Sequence, residues 1–278
     1  METTWAFSYH TVTELSLTVM DILYDQIVLF GDSITQFSFE TKHKGWGASL
    51  ADAYQKRADV LNRGFGGYNS KWAVPILNQM IPQKVDPSQR AKIRLVILFF
   101  GANDSAKAGT FQYVPIDEYA TNLSMMIKRI DQYSADTRIV VITTPPVNED
   151  QWHKASEQGG PDLRRSNTVT KAYAEAAKEV ALAYNVPCVD LWSEIMNLAQ
   201  DGLKDGSSDT ISHKRDLSEF MSDGLHLGTL GCQVLFDALM NTIKANFPEL
   251  NPDTWPEQLA EFWEAPREDY ESTLIFRK

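Results

Sequence analysis

Four short clusters combine side chains able to give or take a proton with glycines that bare the backbone. In Phe30-Gly31-Asp32-Ser33-Ile34-Thr35 a serine stands just past an apolar run. On a sharp turn its hydroxyl would lie at a sheet edge among unpaired N–H groups, the setting of a nucleophile. Asp32 or Ser33 would serve equally well as a helix cap. Asn62-Arg63-Gly64-Phe65-Gly66-Gly67-Tyr68-Asn69-Ser70 carries three glycines, which let backbone N–H groups approach a developing negative charge or simply shape a turn. In Phe100-Gly101-Ala102-Asn103-Asp104-Ser105 the asparagine amide could donate to an oxyanion, or close an Asx turn. Asp223-Gly224-Leu225-His226 spaces a carboxylate three residues from an imidazole around a glycine. One loop can then hold the acid against Nδ1 and leave Nε2 free to take a serine's proton.

These residues can work together only if the chain gathers them, so the elements between them matter. Apolar strand-like runs occur at 26–30, 59–62, 93–100 and 138–143, with a weaker one at 186–190. Helical periodicity occupies Trp46 to Lys56, Lys71 to Ile81, Ile116 to Tyr133, Leu163 to Tyr184 and Thr229 to Phe247. Strand and helix in alternation predict a three-layer α/β/α sandwich around a five-stranded parallel sheet of flavodoxin-like type. Loops leaving the carboxyl ends of such strands share one edge, where ligands bind. Three clusters follow strands and the fourth precedes the last helix, so the topology collects all four.

The remaining histidines, His10, His43, His153 and His213, lack a comparable carboxylate and glycine context and read as surface or packing residues. Phe37, Trp46, Trp72 and Trp152 lie near the predicted site loops and read either as walls of an apolar pocket or as packing. The 201–209 stretch, rich in Gly, Ser and Asp, reads as a surface loop. Beyond Pro248, Trp255, Leu259, Phe262 and Trp263 recur at helical spacing and predict a tail helix laid on the body, with a homodimer contact as the alternative use. The division expected is an extension over 1–24, one domain over 25–247 and a packed tail over 248–278.

At 278 residues the chain can bury a full α/β core. A net charge of -11 without a basic stripe argues against nucleic acid. The two cysteines, Cys188 and Cys232, fall in different predicted elements and make no disulfide framework, which suits the cytoplasm. The sequence contains no secretory leader pattern and no run suited to a membrane span. A Gly-x-Ser-x-Gly elbow, an HExxH pair, paired Cys ligands and a P-loop are all missing, which excludes the ordinary α/β-hydrolase, zinc and nucleotide chemistries.

Read together, the motifs GDSI, GFGGYNS, GAND and DGLH resemble the GDSL esterases/lipases, also called SGNH hydrolases after their Ser, Gly, Asn and His. The resemblance runs from about Tyr24 to Phe247. Within that family, LFGDSIT, RGFGGYNS, GANDS and DGLHL look most like the isoamyl acetate-hydrolysing esterase group. The resemblance implies Ser33 as nucleophile, His226 as general base and Asp223 as its orienting acid. It also implies an oxyanion hole from Ser33 N–H, Gly67 N–H and Asn103, with Gly66 as an alternative to Gly67. The expected reaction is hydrolysis of short acetate-type esters through an acyl-enzyme, with a small-molecule partner and no metal or cofactor. O-acetyl removal from carbohydrate, lysophospholipase or thioesterase activity, and a silent binding module are the rivals. Residues 1–19 precede the expected start at Met20-Asp21 and are expected to be dispensable; a large activity loss on deleting them would contradict this.

Overall fold

Ile27, Val28, Leu29 and Phe30 form an unbroken apolar run because both faces of their strand are covered. In the computed structural model, which describes residues 23–156, 165–201 and 215–266 together with 268, 273 and 275, they belong to β1 (Asp25–Gly31). With β2 (Ala58–Gly64), β3 (Ile93–Phe99), β4 (Arg138–Ile142) and β5 (Cys188–Val189) it makes a five-stranded parallel sheet in the order β2-β1-β3-β4-β5. Chain order reverses between β1 and β3, so a crevice opens at their carboxyl ends.

Alternate side chains divide the core in two. Ile27, Leu29, Ile97 and Phe99 face one layer, covered by α2 (Trp46–Ala53), α7 (Leu191–Asp201) and α8 (Thr229–Asn246). Val28, Phe30, Val96 and Leu98 face the other, covered by α3 (Ser70–Met80), α4 (Ile116–Tyr133) and α6 (Asn167–Ala183). Each large apolar side chain so buried contributes about 1.5–3 kcal/mol before entropy is set against it. The α/β/α sandwich expected from the strand and helix alternation is the fold observed.

Several boundaries differ from the periodicity. Strand β5 is only two residues, paired at the sheet edge with Val141 and Ile142. Helix α2 stops at Ala53, and Lys56 takes a left-handed φ of 61° before β2. Helix α6 begins at Asn167, leaving Arg165 and Ser166 ahead of it. Two helices were not anticipated. One is α5 (Glu149–Ser156), a helix of eight residues none of which is buried, with Trp152 alone packed against the core. The other, α7, follows β5 after Asp190 alone and offers no turn signal.

The expected tail helix is corrected. Pro248–Leu250 is a single 3-10 turn, and between 251 and 266, where the helical spacing falls, the chain makes turns, bends and irregular backbone with no helix. Pro252, Pro256 and Pro266 lack the N–H that a helix needs. Trp255 packs edge-on against Tyr54 at 5.9 Å, while Phe262 and Trp263 are 81% and 67% exposed. The 1–19 segment and residues 202–209 of the expected loop lie outside the described residues.

Candidate active site

Gly31, the last residue of β1, pairs with Gly64 on one side and Phe99 on the other. The chain turns sharply there: a Cβ on Gly31 would run into Thr35 and the Phe99 carbonyl, and one on Gly64 into the Gln36 backbone. Asp32 caps the four-residue helix α1 (Ser33–Gln36), its Oδ1 accepting from Ile34 N–H at 2.9 Å. The cap reading of this segment is the one observed for Asp32, and Ser33 opens the helix. Ser33 is 8% exposed, and its Oγ lies 2.8 Å from Nε2 of His226.

His226 is delivered by the loop before α8. Gly224 takes φ +97°, and a Cβ there would strike the Trp152 backbone, so the reversal requires glycine. The reversal places Asp223 Oδ2 2.6 Å from His226 Nδ1, while Oδ1 accepts from the N–H groups of Leu225 and His226 at 2.9 and 2.8 Å. Burial pushes the Asp223 carboxyl up, but His226 and these N–H donors outweigh it and hold the carboxyl below its ordinary value. The His226 ring stands edge-on between Phe37 at 5.3 Å and Trp152 at 6.2 Å.

Gly67 takes φ +80°, and the N–H of its neighbour Gly66 donates to Gln36 Oε1 at 2.7 Å. Asn103 follows β3, 3% exposed, and its Nδ2 donates to the Tyr68 carbonyl at 2.8 Å. Its loop is tied to α3 through Asp104, whose Oδ1 accepts from Ser70 N–H at 2.9 Å. Burial raises Asp32 to about 7 and Asp104 to about 6. In both cases the charge on Arg165 pulls the other way.

Of the aromatic residues expected near the site, Phe37 and Trp152 flank His226. Trp46 is core, 1% exposed, donating to the Ile34 carbonyl at 3.3 Å. Trp72 is 40% exposed and stacks on Phe111, with Tyr68 edge-on behind it. His43, read as a surface or packing residue, lines a cavity of 310 Å³ with Phe37, Lys42, Asp223 and His226. His153 belongs to α5, while His10 and His213 lie outside the described residues. Sequence reasoning missed Arg165 and Gln112, both buried beside Asn103. The one available signal was an arginine pair at the start of a predicted helix, and spacing does not tie that pair to residues sixty positions back. Among the described residues, no group of three or more His, Cys, Asp or Glu side chains is placed to hold a metal ion, and no helix is long and apolar enough to cross a membrane.

Comparison with known proteins agrees with the family resemblance. The GDSL-like Lipase/Acylhydrolase family model matches residues 29–234. The isoamyl acetate-hydrolyzing esterase 1 homolog of Homo sapiens is 38% identical over 233 residues, spanning 82% of this chain and 85% of the relative. A GDSL esterase/lipase of Arabidopsis thaliana is 36% identical over 239 residues, spanning 83% and 89%. Among solved structures, a lipase/acylhydrolase from Enterococcus faecalis aligns with a TM-score of 0.56 at 24% identity, over 80% of this chain and 96% of that one. A catalytic mutant of an acetylxylan esterase from Geobacillus stearothermophilus aligns with a TM-score of 0.54 at 16% identity, over 81% and 96%; both likenesses concern the fold. The family match runs from the end of β1 into the first turns of α8 and thus takes in every site loop described above, so the chain belongs to the GDSL-like lipase/acylhydrolase family and is a carboxylic ester hydrolase.

Proposed function

We propose that this enzyme hydrolyses short-chain, acetate-type carboxylic esters through an acyl-enzyme on Ser33. The observation that carries the reading is the relay from Ser33 Oγ to His226 Nε2 at 2.8 Å and from His226 Nδ1 to Asp223 Oδ2 at 2.6 Å. Ser33 Oγ attacks the ester carbonyl carbon as His226 takes its proton. Asp223 holds the imidazole in the tautomer that leaves Nε2 able to accept, and then stabilises the imidazolium. The carbonyl oxygen becomes an oxyanion received by Ser33 N–H, Gly67 N–H and the second Nδ2 hydrogen of Asn103, the first being given to Tyr68. Collapse breaks the ester bond, and His226 returns the proton to the departing alkoxide. Water then repeats the sequence on the acyl-enzyme, releasing the acid and restoring Ser33.

The short-acyl preference is supported by the cavity beside His226, whose 310 Å³ lies at the small end of ligand sites, and by the named activity of the relatives. The free thiols Cys188 and Cys232 suit the reducing cytoplasm. A second reading, removal of O-acetyl groups from carbohydrate, is favoured by the exposed row of Tyr68, Trp72 and Phe111 next to Gly67, a surface on which a sugar ring can lie.

The test is turnover of p-nitrophenyl esters from acetate to palmitate beside acetylated xylo-oligosaccharides, each with Ser33→Ala as control. Acetate turned over at least about 10-fold better than palmitate supports the first reading. Faster release of acetate from the sugars replaces it with the second, and preference for palmitate contradicts both.

A further inference from the structure

Arg165 is 6% exposed and lies ahead of α6, with its guanidinium turned toward the loop that follows β3. One terminal nitrogen donates to the Ala102 carbonyl. The other donates to Asn103 Oδ1 at 3.0 Å and to Gln112 Oε1 at 3.1 Å. The Trp152 ring lies 5.7 Å from the guanidinium carbon, so the same aromatic residue touches both Arg165 and His226.

A guanidinium has only donors, and this decides which way two amides point. Because Arg165 demands an acceptor from Asn103, Oδ1 faces the arginine and Nδ2 must face away. Nδ2 gives one hydrogen to the Tyr68 carbonyl and keeps the other for the substrate side. Gln112 is oriented in the same way. Its Oε1 faces Arg165, so its Nε2 donates to the Gly67 carbonyl at 3.0 Å. Two arms from one buried cation thus end on consecutive carbonyls, Gly67 and Tyr68, in the turn whose φ of +80° only glycine adopts without strain. A third bond anchors the turn from the other side, Gly66 N–H to Gln36.

We propose that Arg165 is a positioning residue of the oxyanion hole, setting the amide of Asn103 directly and the Gly67 turn through Gln112. The inference rests on the reading of Gly67 and Asn103 as oxyanion donors. Without the guanidinium only the Tyr68 carbonyl still opposes the flipped state of the Asn103 amide, in which a carbonyl oxygen would meet the oxyanion. Burying this cation is costly, and burial lowers Arg165 to about 10, with Asp32 and Asp104 opposing that shift. Packing alone would be served better by an apolar side chain.

The experiment is a double-mutant cycle on p-nitrophenyl acetate with Arg165→Met, Asn103→Ala and the pair. Concentrations are those of active sites, counted by fluorophosphonate titration. Loss of one oxyanion donor costs about 10²- to 10³-fold in kcat, and Arg165→Met is expected to lower kcat at least about 10-fold with KM changed less than about threefold. Because one arm of Arg165 acts through Asn103 and the other through Gln112, Arg165→Met is expected to cost at least about threefold less in the Asn103→Ala background than in wild type. Multiplying losses, or an Arg165→Met kcat equal to wild type per active site, would overturn the inference. A purely structural role would lower the melting temperature and the count of active sites while leaving kcat per site intact.

Should Arg165→Met not fold, Arg165→Lys keeps the charge without the planar fork, and Gln112→Met removes one arm. Both are expected to lower kcat per site, and no loss in either overturns the proposal. Turnover surviving Ser33→Ala would remove the site reading itself, whereas Ser33-dependent turnover indifferent to Arg165 removes this inference alone.

Discussion

Gln36 Oε1 accepts the Gly66 N–H at 2.7 Å, so the donor of Gly66 is engaged inside the protein. The next residue, Gly67, has left-handed backbone and open space where a Cβ would stand, meeting only Gln112 Nε2 at 3.6 Å. Of the two glycines weighed for the oxyanion hole, Gly67 is thereby the one the proposed mechanism uses.

Alanine at the two positions separates them. Gly67→Ala meets no obstacle but strains a φ of +80° by roughly 1–2 kcal/mol, and the peptide carrying the donor must turn. It is expected to lower kcat about 10- to 10²-fold. Gly66→Ala presses on the end of the flexible Gln36 side chain and is expected to cost less than about threefold. Steady-state kinetics of the two variants decides, and the reverse order would assign the donor to Gly66.

The acid limb of the pH profile should belong to the base and not to its orienting acid. Asp223 is held below its ordinary carboxylate value, so it stays ionised while pH falls far enough to protonate the imidazole. We expect kcat/KM to decline toward acid with a slope of one, and Asp223→Asn to lose about 10⁴-fold in kcat at neutral pH. A slope of two in the wild type would show both groups titrating together.

Asp32 predicts a pH effect on stability. Its carboxyl titrates near 3.8 when exposed and is raised to about 7 by burial in the fold. Between these values the folded state holds a proton that the unfolded chain has lost. Stability from this group is therefore full below about pH 4, declines as pH rises toward 7 and is level above. Asp32→Asn keeps an oxygen for the Ile34 N–H and removes the decline. Its melting temperature relative to wild type should be higher at about pH 8 than at about pH 5, and equal offsets at both would contradict this.

How much of this was legible in the sequence follows from what each part depends on. Strands β1, β3 and β4 are buried on both faces and read as continuous apolar runs, and α4 was read at its observed bounds because one face alone meets the core. The four site clusters were visible because each chemistry-bearing residue sits beside a glycine that its turn demands, Gly31, Gly67, Gly101 or Gly224. The tail misled because Trp255, Leu259, Phe262 and Trp263 keep helical spacing while Pro256 interrupts the stretch and Pro252 and Pro266 bound it. Arg165 was invisible because it reaches Asn103 across the fold, and no periodicity or local motif encodes such a contact.

The central claim is that Ser33 is the nucleophile, and the most direct test is to map the adduct formed with a fluorophosphonate by peptide mass spectrometry. The account predicts one phosphonylated site, Ser33, formed in step with loss of esterase activity and abolished in Ser33→Ala. Full inactivation with the label on another residue, or Ser33→Ala that still turns over p-nitrophenyl acetate at the wild-type rate, would contradict it.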